Sequence, residues 1–261
     1  MLKDITLGQY FPGNSIAHKL DPRTKILLVT LYIIALFSAK GWMGYAVMAV
    51  TLAACVKVSH VGLRALVRGL KPLVFIIAFT GILNMFFTPD THYLWEWGIL
   101  RVSVKGIENA LFMVIRIMLL VMGTFLMTYT TSPIRLTDGL ESLLNPLKKI
   151  HVPVHELAMM MAIALRFIPT LIEETDKIMS AQKARGADFD SGNIFQKAKA
   201  LVPILVPLFI SAFRRADELA TAMECRCYHG GEGRTKLHVL KYQRRDYVAL
   251  AGGVVILALV V

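Results

Sequence analysis

A chain of 261 residues has room for one or two soluble domains, but 56% of it is apolar and its mean hydropathy is +0.57, which is the composition of a membrane protein. The formal charge of +11 raises nucleic acid as a partner; the basic residues, however, cluster between apolar stretches, which assigns them to loops and helix ends and excludes nucleic acid. Three cysteines in a chain facing a reducing compartment argue against a disulfide framework.

Apolar runs follow in order at Ile26 to Ala39, Tyr45 to Val56, Leu73 to Phe87, Ile107 to Tyr129 and Tyr247 to the C-terminus. A span needs about 20 apolar residues, which only Ile107 to Tyr129 supplies alone. The first two runs fit tilted spans, a re-entrant hairpin or one interrupted helix; two tilted helices with "KGWMG" as the turn is the preferred reading. The first run resembles a signal peptide, but Phe37 stands where a small cleavage-site residue belongs and more spans follow, so a retained helix is expected. Lys3, Lys19, Arg23 and Lys25 precede the first run, and Lys57, Arg64, Arg68 and Lys71 separate the second from the third. These segments should be cytoplasmic. "TPDTHYLWEWGIL", Thr88 to Leu100, has no basic residue and carries Tyr93, Trp95 and Trp97, as an external interfacial loop would.

Arg116 stands mid-run, where a charge costs about 2.5 to 3.5 kcal/mol. Glu108 is too far along the same helix to pair with it directly, so a structural bond to a neighbouring helix is expected ahead of a functional role. Arg166 invites the same judgement. After Thr130, "TSPIRLTDGLESLLNPLKKI" reads as a short amphipathic helix. Its basic end, Lys148 and Lys149, suits an anionic leaflet surface or is simply solvated on a connecting helix.

Two long amphipathic helices follow, over His155 to Ala187 and Asn193 to Tyr228. Leu165, Ile168, Ile172, Thr175 and Met179 form one stripe, with Glu173, Glu174, Asp176 and Lys177 off it. Leu205, Leu208, Ala212, Ala216, Leu219 and Met223 form the other, with Arg214, Arg215, Asp217 and Glu218 off it. Pro169, Pro203 and Pro207 should bend or interrupt these helices. The early half of each is apolar enough for lipid or another membrane protein; Met159, Met160 and Met161 offer an adaptable contact surface or ordinary packing.

The ends of the two helices repeat one another. "DKIMSAQKARGA" from Asp176 and "DELATAMECRCY" from Asp217 agree at the Asp, the Ala and the Arg. Ala184, Arg185 and Gly186 in the first copy match Cys225, Arg226 and Cys227 in the second. Small neighbours let a partner approach the backbone, and the guanidinium offers a planar fork to a carboxylate. A favourable helix-dipole charge would account for one such end at about 0.3 to 1 kcal/mol; the duplication favours two plugs for two similar sockets.

Other candidate sites are weaker. Cys225, Cys227 and His229 fall one ligand short of a closed zinc site, so no metal is expected. "HGGEGRTK", His229 to Lys236, lacks the G-x-x-x-x-G-K-[ST] pattern and reads as a linker. No H-E-x-x-H or G-x-S-x-G motif suggests an intramembrane enzyme. A secondary transporter carrying its own substrate is the main rival, but only Asn84, Glu108 and Arg116 are notable polar groups in the membrane runs.

Three stretches together resemble the T component of energy-coupling factor transporters, bacterial ABC-type importers of vitamins and metal ions: "HKLDPRTKI", His18 to Ile26; "LRFIPTLIEETDKIMSAQKARG"; and "AMECRCY". The resemblance implies a multi-pass protein of the bacterial cytoplasmic membrane, with the N-terminus and two coupling helices cytoplasmic. Arg185 and Arg226 would dock in grooves of two ATPase subunits, of A and A′ type, while the membrane part and the upper faces of the helices hold a substrate-binding S component. The chain would be non-catalytic and bind no cofactor itself, ATP and Mg being held by the ATPases. Cys225 and Cys227 depart from the family's Ala and Gly. Cys227 enters a left-handed cap less easily than Gly, and Gly230 and Gly231 are the alternative stop. The fold expected is all-α with about five membrane helices. Its parts are N-terminal membrane helices over 1–130, a coupling-helix region over 131–236 and a C-terminal membrane helix over 237–261.

Overall fold

The computed structural model describes residues 10–88, 93–97, 100–187, 189, 194–230 and 239–261. Lys3, Gly231 and residues 232–236 of the linker lie outside them. The described chain is helical apart from one hairpin, and it divides into two compact units. One holds Gly8–Leu143 with Leu240–Val261, the other Leu144–Val239.

In the first unit, α1 (Ile16–Lys19) leads into α2 (Pro22–Ser38), α3 (Gly41–Ser59), α4 (Leu63–Leu70), α5 (Val74–Phe87), α6 (Val104–Thr130) and α7 (Pro133–Leu144), and α10 (Arg244–Val260) returns to pack on α2. The first two apolar runs are thus separate helices. Their turn is shorter than "KGWMG": Gly41, at φ 65°, already opens α3. The expected external loop after α5 instead contains an antiparallel pair of strands, β1 (Tyr93–Trp97) and β2 (Leu100–Ser103), with Trp97 opposite Leu100 and Glu96 opposite Arg101. Alternating Tyr93, Trp95 and Trp97 is a strand period as well as an interfacial signature, and composition alone favoured the second.

Among the described residues, four helical stretches are long and apolar enough to cross a membrane: Gly41–Ser59, Leu63–Phe87, Val104–Thr130 and Val154–Ala184. α2 and α10 are shorter, 17 residues each. The helices approach one another closely through glycines, as membrane helices do without a hydrophobic drive to associate. A Cβ on Gly123 would lie 2.5 Å from the Tyr32 ring, and one on Gly106 would lie 2.7 Å from the Met85 carbonyl oxygen.

The "HKLDPRTKI" segment ties one end of this unit together. Asp21 caps α2 by accepting from the Arg23 amide at 2.9 Å and grips the Arg23 side chain through both carboxylate oxygens. Arg23 also donates to Ser142 on α7 and lies 4.0 Å over the Tyr242 ring. Lys25 stands just before the apolar run and donates to the Thr130 carbonyl at 2.8 Å and the Thr131 hydroxyl at 3.0 Å. The Phe11 amide takes the neighbouring Tyr129 carbonyl, so two carbonyls that the end of α6 leaves without intrahelical partners are satisfied. Burial first, and the Arg135 guanidinium second, push the Lys25 ammonium down to about 8, opposed by Asp246. It remains protonated at neutral pH, which makes its bond to Thr130 charge-assisted.

Candidate coupling-helix tips

The second unit is built on α8 (Val154–Ala184) and α9 (Ile194–Cys225). Both run through their prolines without interruption. Proline cannot donate to the carbonyl four residues back, so Pro207 leaves the Pro203 oxygen without its intrahelical partner. The Gln182 side-chain amide of α8 donates to that oxygen at 3.3 Å. The helix defect is thereby converted into a contact between helices.

A second contact fixes how the helices pass. Arg215 Nη2 donates to Glu174 Oε2 at 2.8 Å. Late α8 meets early α9, whereas mid α8 meets later α9; the two helices are therefore antiparallel. Glu174 and Arg215 stand in the same relation as Asp176 and Asp217, so equivalent positions of the sequence repeat face each other at this contact. Both charges stand off the apolar stripes of the sequence, yet they bond to each other across the helix pair, about a third exposed. The hydroxyls of Ser180 and Thr221, another repeat pair, both donate to their Asp carbonyls, Asp176 and Asp217.

The two ends close with the same geometry. After Ala184, the Gly186 amide donates to the Lys183 carbonyl and the Ala187 amide to the Gln182 carbonyl, each at 3.0 Å. After Cys225, the Cys227 amide donates to Glu224 at 2.8 Å and the Tyr228 amide to Met223 at 3.1 Å. These are paired Schellman closures, which require a left-handed residue just past the cap. Gly186 supplies it at φ 87° and Cys227 at φ 54°. The stop proposed for Gly230 is therefore corrected: α9 ends at Cys225, because Cys227 adopts the left-handed turn despite its side chain. Gly231 lies outside the described residues.

Ala184, Arg185 and Gly186 are all exposed, as are Cys225, Arg226 and Cys227. The structure gathers each triplet into one tip but does not bring the two tips together. Arg185 and Arg226 each stand about three helical turns, roughly 16 Å, beyond the Glu174–Arg215 contact, in opposite directions along an antiparallel pair. His229 Nδ1 donates to the Cys227 carbonyl at 2.8 Å, and no group of three His, Cys, Asp or Glu side chains among the described residues converges as a metal site would.

The early part of α9 presents Leu201, Val202, Leu205, Val206, Phe209, Ile210 and Phe213, all exposed; Met160 and Met161 on α8 are exposed as well, whereas Arg166 faces solvent or lipid rather than a core. Sequence reasoning missed two elements of the site. One is the Gln182 bond to the proline-orphaned carbonyl, which the spacing of Pro203 and Pro207 foreshadows. The other is the facing of Glu174 and Arg215, which alignment of the repeat contains.

The family model for CbiQ, described as a cobalt transport protein, matches residues 13–237. An energy-coupling factor transporter transmembrane protein EcfT of Ruminiclostridium cellulolyticum is 53% identical over 261 residues, covering 100% of this chain and 97% of its own length. The protein of the same name from Clostridium kluyveri is 56% identical over 250 residues, covering 95% of this chain and 93% of that protein. That of Bacillus subtilis is 46% identical over 259 residues, covering 99% and 98%. With a family model over most of its length and relatives this similar end to end, the chain belongs to the CbiQ family, among the energy-coupling factor transporter transmembrane proteins.

Proposed function

We propose that the chain is the coupling subunit of an energy-coupling factor transporter, joining two ATPase subunits, of A and A′ type, to a membrane-embedded S component that binds the transported nutrient. The observation that carries this reading is the pair of identically capped, exposed arginine tips, Arg185 and Arg226, set about equally far from the contact between their helices. Each tip is a plug for one ATPase groove, where Arg185 and Arg226 meet carboxylates and Ala184, Gly186, Cys225 and Cys227 keep the walls close. ATP and Mg are held by the ATPases, and this chain carries no catalytic group. Displacement of the ATPases moves the tips, and α8 and α9 transmit it to the S component, which rests on the membrane helices and on the exposed apolar face of early α9.

Orientation follows the same reading. Lys25 at the start of α2 meets Thr130 at the end of α6, and the Tyr129 hydroxyl of α6 donates to the Ala65 carbonyl of α4. Lys19, Arg23, Lys25, Arg64 and Arg68 therefore belong to one end of the membrane unit, which the positive-inside rule places in the cytoplasm with the N-terminus and the coupling helices.

Breaking a buried charge pair by removing one partner costs about 3 to 5 kcal/mol. The double variant Arg185→Glu with Arg226→Glu is expected to remain in the membrane and to lose both ATPases on co-purification. Retention of both would refute the plug assignment.

A further inference from the structure

Within the membrane unit, Ala39, Gly41, Tyr45, Asn84, Asn109 and Arg116 line a cavity of about 280 Å³. Arg116 is only partly satisfied there. Its Nε donates to the Tyr45 hydroxyl at 2.8 Å, and its guanidinium lies 5.6 Å from the Phe37 ring and 5.7 Å from the Tyr45 ring. The bond to a neighbouring helix is present, but no carboxylate among the described residues pairs with this charge, and both Nη groups remain free to donate. An arginine in an apolar span that keeps two unused donors in a polar cavity is prepared for an anion.

The level of the cavity identifies the source of that anion. Helical side chains lean toward the N-terminus of their own helix, so Arg116 reaches from α6 toward Phe112 and Asn109. Phe112 contacts Trp42 at 4.8 Å and stacks on Tyr45 at 5.2 Å. Trp42, exposed in the opening turn of α3 directly after the α2–α3 connection, stands where an aromatic side chain marks the bilayer surface, while buried Tyr45 packs beneath it. Exposed Lys40 stands in the same connection. From the cavity, exposed Phe37 and Ile34 continue down α2 as an apolar track for acyl chains.

We infer that Arg116, with Tyr45, Asn84 and Asn109, forms a binding site for the phosphate of an anionic phospholipid, held at the bilayer surface with its acyl chains along α2. The full-length chain in detergent, titrated with dioleoylphosphatidylglycerol and separately with dioleoylphosphatidylcholine, tests this by native mass spectrometry. One phosphatidylglycerol should be retained about tenfold or more in preference to phosphatidylcholine, whose choline cancels the phosphate charge. Arg116→Gln should abolish the preference. Asn109→Asp should do the same by placing a carboxylate at the mouth; Asn109 is exposed, so this variant keeps the helix packing intact. Arg64→Gln, an exposed charge elsewhere, should leave the preference unchanged. Absence of a preference in the unmodified chain, or its survival in both Arg116→Gln and Asn109→Asp, overturns the site. Displacement of the lipid by equimolar inorganic phosphate would overturn the assignment to lipid in favour of the free anion.

Discussion

Cys227 occupies a backbone position that ordinarily selects glycine. At φ 54° a side chain costs about 1 kcal/mol or somewhat more, and the closing bonds from the Cys227 and Tyr228 amides oppose that strain. Cys227→Gly is expected to stabilise the last turn of α9 by about 0.5 to 1 kcal/mol, slowing hydrogen exchange at the amides of residues 227 and 228 without moving Arg226. Unchanged or faster exchange there would show that the cysteine is unstrained. The residue types of this tip were legible in the sequence, since small–Arg–small appears twice. Its closure was not, because propensity disfavours Cys at φ above zero and says nothing of the two hydrogen bonds that hold it there. Arg116 shows the opposite case: its need for a neighbouring helix followed from its place in an apolar run, whereas Tyr45 as the partner depended on tertiary packing.

At the scale of elements, hydropathy periodicity located both long helices to within a few residues of their ends. It set Glu174 and Arg215 off the apolar stripes, because a period separates polar from apolar sides and cannot say which polar residues meet. Their contact is about a third exposed, so its net contribution is modest, on the order of 0.5 to 1 kcal/mol. Its value lies in register. Glu174→Arg should lower the thermal stability of the purified chain by like-charge repulsion, and Glu174→Arg with Arg215→Glu should recover most of the loss. A double variant no more stable than Glu174→Arg would mean that the pair does not hold the helices in register. Of the two outcomes expected at the prolines, a bend or an interruption, the interruption does not occur: Gln182 satisfies the carbonyl that Pro207 releases, and α9 continues.

For the molecule as a whole, the segment at His18 to Ile26 and the helix at the other end of the sequence are joined by one buried carboxylate. Asp246, 2% exposed, accepts from the Asp21 amide at 2.9 Å through Oδ1 and from the Gln243 amide at 2.8 Å through Oδ2. Asp246→Ala should leave both amides without that acceptor and destabilise the membrane unit by about 2 to 3 kcal/mol, read as a lower midpoint of thermal unfolding in detergent. An unchanged midpoint would assign the attachment of α10 to apolar packing alone. The N-terminal segment carried a family resemblance in the sequence, but its physical role was hidden. Its partners Thr130, Ser142, Tyr242 and Asp246 lie more than a hundred residues away, beyond the reach of any local pattern.

The equal reach of the two arms also restricts how they can change. Eleven helical residues complete three turns and overshoot by only about 20°, so each arginine shares the azimuth of the charge at its own pivot. A single residue gained in one arm would swing its guanidinium by about 100°, away from the bearing of the charge at its own pivot. A change of three or four residues, close to a whole turn, would instead keep the guanidinium near its original bearing.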